Sequence, residues 1–192
     1  MFKNIGFGIC GSFCTHKIIL EVMKKMKDEN YNILPIVTDS VKSIDTRFGK
    51  ASDFIREVEK ITGNRVISSI VDAEPIGPNN MIDVLLIAPC TGNTLSKLAN
   101  AITDNALTMV AKSHLRNNKP IVIGLSTNDA LGQNVTNLAK LLNAKNFYFV
   151  PFGQDDYSKK PKSLICDWDL VLKTLEDASH GKQTQPIIWG GK

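Results

Sequence analysis

Residues 84–105 read VLLIAPCTGNTLSKLANAITDN, and this segment contains the pattern that decides the fold. Its first five residues are all apolar, as expected for a strand that is buried on both faces of a sheet. Pro89 has no backbone N–H, so we expect the strand to end there. Small residues with hydroxyl and amide groups follow, and a helical repeat of apolar residues starts at Leu95. The segment predicts a strand, a polar loop and a helix whose N-cap is Asn93 or Thr94.

Strand and helix patterns alternate along the rest of the chain. Further strands are predicted at residues 2–9, 31–37, 120–125 and 147–150, with a short one within 65–71, and helices at residues 13–27, 51–62, 104–115, 133–143 and 167–179. Residues 41–50, 72–80 and 151–163 have no regular pattern and are expected to be irregular.

Apolar strands that alternate with helices are typical of a mainly parallel sheet with helices on both faces. We therefore predict an α/β protein with a single three-layer, Rossmann-like (flavodoxin-like) domain. The domain is expected to span residues 1–192 and to include a C-terminal helix and tail from about residue 164.

The composition favours an ordinary soluble enzyme or binding protein over several other classes. The 192 residues carry a net charge of +4, and the basic cluster Lys159, Lys160 and Lys162 is expected to be a solvated loop rather than a nucleic-acid site. Four cysteines without paired spacing and three scattered histidines predict no metal site. We expect no signal peptide and no membrane span, and hence a cytoplasmic protein.

Small polar residues follow four of the predicted strands. They are Gly11–Ser12, Thr38–Ser40, Cys90–Thr94 and Ser126–Asn128. In a parallel sheet the carboxyl ends of the strands meet at one edge, where ligands bind, and the helices that begin there favour anions. The sequence therefore predicts a nucleotide-like ligand at this edge.

Two kinds of nucleotide are compatible with these residues. Residues 6–11 match the G-x-G-x-x-G pattern of nicotinamide dinucleotide sites, with Asp39 as a candidate ribose ligand. However, Gly6 and Gly8 are predicted inside the first strand rather than after it, and Asp39 follows later than the usual offset. The alternative is a mononucleotide whose phosphate is shared by Ser12 and Thr38, since hydroxyls bind phosphate well without a lysine.

Several motifs resemble those of the flavin mononucleotide (FMN)-binding flavoproteins, which include phosphopantothenoylcysteine decarboxylase, the lantibiotic-type cysteine decarboxylases and flavin prenyltransferase. The resemblance lies in Gly11-Ser12, in residues 88–94 (APCTGNT) and in residues 97–105 (KLANAITDN). It implies that FMN is bound through Gly11, Ser12 and Thr38 at the phosphate, and through Pro89, Thr91, Gly92, Asn93 and Thr94 along the ribityl chain and ring. Cys90 lies in the same loop, where a small buried filler is expected.

The chain departs from the decarboxylases of this family at two places. Those enzymes have a histidine shortly before the strand at residue 84, whereas no histidine occurs from Asp72 to Asp83. They also have a Pro-x-Met-Asn motif where this chain reads Leu125-Ser126-Thr127-Asn128. Decarboxylation is therefore not expected, and no catalytic acid or base can be named.

Further segments resemble one branch of the family that oxidises a small cyclic dicarboxylate to an aromatic product. They are Thr38 with residues 41–43, and residues 46–49, 116–118, 126–132 and 151–156. This resemblance implies a partner subunit that binds NADP, a homo-oligomer, and a location in the mother cell of a sporulating bacterium. Because carboxylates need cationic or amide partners, Arg47, Arg116 and Asn128 are the predicted substrate ligands. Two alternatives remain open: a non-catalytic scaffold for the partner subunit, and a dehydrogenase that binds NAD(P).

Overall fold

A seven-stranded sheet forms the centre of the protein, which is described over residues 2–189 by a computed structural model. The strands are β1 (Asn4–Ile9), β2 (Asn32–Val37), β3 (Val84–Cys90), β4 (Ile121–Thr127), β5 (Phe147–Phe149), β6 (Phe152–Gln154) and β7 (Leu164–Cys166). The helices are α1 (His16–Asp28), α2 (Asp39–Ser43), α3 (Ala51–Thr62), α4 (Ile70–Ala73), α5 (Gly92–Ala99), α6 (Ala106–Arg116), α7 (Val135–Leu142) and α8 (Val171–Ser179).

The sheet is mainly parallel, as the alternating pattern predicts. Strands β2, β1, β3, β4 and β5 are neighbours in that order and all run parallel. The second half of β4 pairs instead with β7, which runs antiparallel, and β7 pairs with β6. Strands β1 and β3 are neighbours at the centre of the sheet. The chain proceeds from β1 to β2 on one side and from β3 to β4 on the other, so the strand order reverses between β1 and β3. This is the switch point at which ligands bind in such sheets.

Alternate residues of each strand point to opposite faces of the sheet, and both faces are apolar. The helices therefore form two layers, one over each face. On one side α1 packs against α3, and on the other α5 packs against α6 and α7. Gly8 of β1 points at α6, and a Cβ at this position would overlap the side chain of Leu107. Both Gly6 and Gly8 lie within β1, and Gly8 lets the second layer approach the strand. The dinucleotide fingerprint needs its glycines in the turn after the strand, so this observation argues against that interpretation.

Pro89 does not end its strand, which corrects the prediction. Strand β3 continues to Cys90, and the bond between Ala88 and Pro89 is a cis peptide. The pairing with β4 shifts at this point: Ile87 faces Ile123 and Cys90 faces Leu125. Two residues of β3 therefore lie opposite Gly124, and such a bulge tolerates a residue without an N–H.

Other differences concern short elements. Helix α3 has the predicted bounds and ends at Gly63, which is left-handed with φ 72°. The predicted loop at 151–163 contains β6, and residues 41–43 of the segment predicted to be irregular belong to the short helix α2. A short strand was predicted within residues 65–71, but there Ile67 forms only a single bridge to Ile36. Each of these pieces spans five residues or fewer, too few to give a periodic signal in the sequence.

Candidate functional site

The fold brings the four predicted polar segments to one edge of the sheet. They follow β2, β1, β3 and β4, which are adjacent and parallel, so their carboxyl ends lie side by side. Ser12 and Ser126 approach across the width of β3, with 2.9 Å between their Oγ atoms. At the other end of the row, Thr38 Oγ1 lies 3.1 Å from Ser40 Oγ. We call this row of residues the carboxyl edge.

The loop after β3 forms the start of α5, and its N-cap is Thr91 rather than the predicted Asn93 or Thr94. Thr91 has extended backbone angles, and its Oγ1 accepts a hydrogen bond from the Thr94 N–H at 3.5 Å. Gly92, the first helical residue, is closely packed: a Cβ there would lie 2.5 Å from Asp129 Oδ1. The first turn of α5 can therefore rest on the loop after β4 only if residue 92 is glycine.

Asp129 holds that second loop in place. Its carboxylate accepts hydrogen bonds from Thr127 Oγ1 at 2.5 Å and from Asn134 Nδ2 at 2.6 Å. A carboxylate close to the N-terminus of α5 also interacts favourably with the helix dipole. Asp129 thus links β4, α7 and the loop after β3, a long-range role that the sequence does not reveal.

His16 holds the loop after β1 in position. Its Nε2–H donates to the carbonyl oxygen of Cys10 at 3.0 Å, and its ring stacks on Phe54 with 4.2 Å between centroids. Burial lowers the pKa of His16, against the opposing effect of its bond to the Cys10 carbonyl. A neutral histidine fixed in this way supports Gly11 and Ser12 without adding charge to them.

Two cavities open along the carboxyl edge. The first has a volume of about 390 Å³, and its walls include Gly11, Thr38, Ser40, Thr91, Asn93, Thr94, Lys97 and Asn105. Lys97 pairs with Asp104 at 2.7 Å, and its side chain is mostly covered. This first cavity combines hydroxyls, the start of a helix and one ammonium group, a donor set that suits a phosphate.

The second cavity, of about 450 Å³, lies toward β4 and the β6–β7 hairpin. Its walls include Gly11, Ser12, Cys14, Thr91, Gly92, Asn93, Ser126, Asn128, Asp129, Asp155, Lys160 and Ser163. Gly11, Thr91 and Asn93 line both cavities, so the two are neighbours along the same edge. A Cβ on Gly11 would approach Ser40 Oγ to 3.0 Å, so a larger residue would narrow the space for a ligand. The residues present fit an elongated phosphate ester such as FMN.

The two buried thiols near this edge, Cys10 and Cys90, are structural. Cys10 and Cys90 are fully buried, and Cys10 Sγ donates to Thr94 Oγ1 at 3.2 Å. The pKa of Cys90 is raised well above its ordinary value by the hydrogen-bonding contact of Cys90 with Cys10 and by burial, so Cys90 stays a neutral thiol. Its complete burial agrees with the expected role as a small filler.

Seven of the eight predicted cofactor residues line one or both cavities, whereas Pro89 is buried within β3 and lines neither. The predicted substrate residues lie apart from one another. Asn128 lies on the second cavity. Arg47 is exposed in the loop between α2 and α3, with its guanidinium 4.9 Å from the centre of the Phe48 ring. Arg116 is the last residue of α6, just before β4 begins, and so lies at the opposite edge of the sheet within one chain. Ser40 lies in one of the predicted polar segments, whereas Lys97, Asn105, Asp155 and Lys160 line the cavities without having been predicted as ligands.

Within residues 2–189 no helix is long and apolar enough to cross a bilayer. Nor does this part of the chain contain three His, Cys, Asp or Glu side chains grouped closely enough to hold a metal ion.

Known proteins have sequences related to this one. A family model described as "Flavoprotein" matches residues 2–179. The B subunit of dipicolinate synthase from Bacillus subtilis is 48% identical over 186 residues, which cover 97% of this chain and 93% of the relative. A putative phosphopantothenoylcysteine decarboxylase of Dictyostelium discoideum is 29% identical over 179 residues, 91% of this chain and 87% of the relative.

Solved structures agree with the sequence relationship. The crystal structure of the dipicolinate synthase B subunit from Bacillus halodurans matches with a TM-score of 0.90 and 44% identity, covering 99% of this chain and 97% of that one. The FMN-dependent cysteine decarboxylase SpaF has the same fold, with a TM-score of 0.70 and 21% identity over 92% of this chain and 97% of its own.

Proposed function

The chain belongs to the flavoprotein family, and we propose that it binds FMN and acts as the B subunit of a dipicolinate synthase. The observation that carries this proposal is the row of hydroxyl, amide and glycine residues along the carboxyl edge, in a chain 48% identical to the B subunit of a dipicolinate synthase. The proposed reaction is the oxidation of dihydrodipicolinate to dipicolinate (pyridine-2,6-dicarboxylate) during sporulation.

This oxidation removes two hydrogens from a ring that becomes aromatic, so it is favourable once a hydride acceptor is available. Bound FMN supplies that acceptor chemistry. The protein then needs chiefly to hold cofactor and substrate in register and to exclude water between them. We propose no catalytic acid or base.

The proposed cofactor contacts combine the family resemblance with the two cavities, which seven of the eight residues line and Pro89 does not. Gly11, Ser12 and Thr38 hold the phosphate, with help from the Lys97 ammonium group. Pro89 and residues 91–94 lie along the ribityl chain and ring. The ring would extend toward Ser126 and Asn128, which leaves the β6–β7 hairpin facing the substrate.

The proposal includes partners that lie outside this chain. An A subunit that binds NADP would complete the synthase, and several copies of this chain would assemble into a homo-oligomer. The complex would work in the cytoplasm of the mother cell of a sporulating bacterium. Arg116, which is distant from the cavities of its own chain, could act on substrate only across such an assembly.

The roles of the two arginines are tested by steady-state kinetics of the complete synthase. If Arg47 binds a substrate carboxylate, Arg47→Ala raises the apparent KM about tenfold or more, in line with the loss of a charge-assisted bond. An unchanged KM would remove Arg47 from the site. The same measurement on Arg116→Ala tests a contribution from a neighbouring copy.

The first experiment is a visible absorption spectrum of the purified chain with and without added FMN. We expect a bound flavin that loses its absorbance near 450 nm when dihydrodipicolinate and the A subunit are added, as flavin reduction requires. A flavin that binds but never bleaches would refute the redox role and leave a structural cofactor. Failure to bind flavin would refute the cofactor proposal and favour a scaffold for the A subunit, an alternative suggested by the missing family histidine.

A further inference from the structure

We propose that Lys160 binds a carboxylate of the substrate in the second cavity, and that Asp155 competes with the substrate for this lysine. The proposal rests on the proposed function for the identity of the acid, while the site itself rests on the cavity and on the hairpin that closes it. Neither residue is among the predicted substrate ligands.

The cavity has two unlike walls. One wall consists of the neutral loops after β1, β3 and β4, together with the Asp129 carboxylate that Thr127 and Asn134 already satisfy. The other is the β6–β7 hairpin, which contributes Asp155 and Lys160. Lys160 is the cation among the residues that line this cavity, so a carboxylate that enters it has one positive partner.

Backbone hydrogen bonds fix the hairpin beside the cavity. The Ser163 N–H donates to the Lys160 carbonyl at 2.9 Å, and the Leu131 N–H donates to the Lys162 carbonyl at 3.0 Å. Asp156 accepts bonds from Ser158 Oγ at 2.7 Å and from the Lys159 N–H at 3.0 Å, which engages its carboxylate within the loop. The stem of Lys160 is therefore held in position, while its ammonium group remains free to change partner.

Lys160 already shows the contact that a substrate would make. Its Nζ lies 2.8 Å from Asp155 Oδ2, and this bond raises the pKa of Lys160, so the side chain is charged at neutral pH. The two side chains are 52% and 31% exposed. An ion pair this open to solvent contributes little to stability, so a substrate carboxylate can replace Asp155 at small cost.

Neutral donors nearby suit the remainder of a small acid. Ser126 offers a hydroxyl on the wall of this cavity. Asn128 accepts a bond from Ser163 at its Oδ1, at 3.4 Å, which leaves its amide Nδ2 as a donor. One ammonium group beside a hydroxyl and an amide favours a compact, polar dicarboxylate over a neutral or bulky apolar ligand.

The test is calorimetric titration of the FMN-reconstituted full chain with pyridine-2,6-dicarboxylate. We expect Lys160→Gln to weaken binding about tenfold or more, and Asp155→Asn to strengthen it several-fold because the competing carboxylate is gone. Lys159→Gln is the matched control: it removes the same charge from the same loop at a residue that does not line the cavity, and it should change the affinity less than twofold.

Cys14 provides a second readout that locates the ligand. It is exposed and lines the cavity, whereas Cys10, Cys90 and Cys166 are buried. Bound dicarboxylate should slow alkylation of Cys14 in the wild-type chain and in Lys159→Gln, but not in Lys160→Gln. Alkylation slowed equally in all three proteins would contradict the proposed site.

Equal affinity of wild type and Lys160→Gln would overturn the proposal. Weaker binding in both Lys160→Gln and Asp155→Asn would also overturn it. The ion pair between Lys160 and Asp155 would then shape the hairpin, and Asp155 would not compete with the substrate. Titration with FMN separates a failure of the Lys160 proposal from a failure of the proposed function. All three variants should keep the wild-type FMN affinity.

A chain that binds no FMN refutes the flavin role, while the titration with pyridine-2,6-dicarboxylate still tests Lys160.

Discussion

The two edges of the sheet both carry polar side chains but use them differently. At the amino edge, where the parallel strands begin, side chains bond to the backbone: Asp83 accepts from the N–H groups of Lys3 and Asn4, both at 2.8 Å, and His114 donates to the Pro120 carbonyl at 3.0 Å. At the carboxyl edge, two pairs of hydroxyls, Ser12 with Ser126 and Thr38 with Ser40, bond to each other beside open cavities. Bonds to the backbone hold the fold together, whereas hydroxyl pairs can exchange partners with a ligand.

The strongest test of this contrast compares two tightly packed glycines. A Cβ on Gly92 would lie 2.5 Å from Asp129 Oδ1, and one on Gly77, near the amino edge, would lie 2.5 Å from Ser113 Cβ. Both Gly92→Ala and Gly77→Ala should lower the free energy of unfolding, by about 1–3 kcal/mol. Gly92→Ala should also reduce FMN binding at least 100-fold, while Gly77→Ala should leave it unchanged. Equal FMN affinity in both variants would contradict the proposal that FMN binds at the carboxyl edge and not at the amino edge.

The amino edge should dominate the dependence of stability on pH. Burial, with a smaller contribution from Lys119, lowers the pKa of His114 from 6.5 to about 4. Between those values the unfolded chain binds a proton that the folded chain does not. Stability is therefore complete above pH 6.5 and falls as the pH drops toward 4, by on the order of 3 kcal/mol for this group.

His114→Gln keeps a donor for the Pro120 carbonyl but does not titrate. Chemical unfolding at several pH values should show a flatter profile for this variant between pH 6.5 and 4. A slope as steep as that of the wild type would assign the pH dependence to other groups. FMN affinity measured at pH 7 should be the same in both proteins.

Removing one hydroxyl at the carboxyl edge should affect binding without affecting the fold. Thr38→Val keeps the shape of the side chain but removes a proposed bond to the phosphate. Because hydrogen bonds to charged groups contribute about 1.5–3 kcal/mol, we expect the Kd for FMN to rise roughly 10- to 100-fold. Ser113→Ala, which removes a buried hydroxyl that donates to the Val110 carbonyl, is the matched control and should bind FMN normally. Fluorescence quenching of FMN measures both affinities, and a Thr38→Val affinity equal to that of the control would exclude Thr38 from the phosphate site.

The smallest expected effect concerns Lys97. Its ammonium group is shared with Asp104, so it contributes only part of its charge to a phosphate. Lys97→Gln should weaken FMN binding a few-fold and make the affinity less dependent on salt, since screening acts on one cation fewer. An unchanged salt dependence across 50–500 mM NaCl would show that the lysine serves only to pair with Asp104.

The sequence predicted the carboxyl edge well because each of its parts is local. The apolar run of β3, the hydroxyls after it and the helical repeat from Leu95 are contiguous, and the parallel order of the strands follows from their alternation with helices. Lys97 and Lys160 could not be assigned to the site in this way. Whether a lysine reaches a cavity depends on pairing between segments far apart in the chain, and nothing near Lys160 in the sequence distinguishes it from Lys159.

Errors at the ends of elements have a similar cause. Pro89 looked like a strand terminator because it lacks an N–H, yet a bulge opposite Gly124 removes the need for one. Thr91, Asn93 and Thr94 are all good capping residues, and the packing of Gly92 against Asp129 selects the first of them. In both cases a neighbouring strand or loop, rather than the local sequence, decides between acceptable alternatives.

The borders of the sheet bear on self-association. Along the outer side of β2, Asn64 Nδ2 donates to the Ile33 carbonyl, Ile67 pairs with the carbonyl of Pro35 and the N–H of Val37, and Pro35 has no N–H to offer. On the other side β4 divides its length between β5 and β7, so the border there is formed by strands of three residues. Long, unprotected strand edges are templates for intermolecular β-pairing, and these borders are short or already paired. These borders therefore offer little surface for aggregation through the sheet.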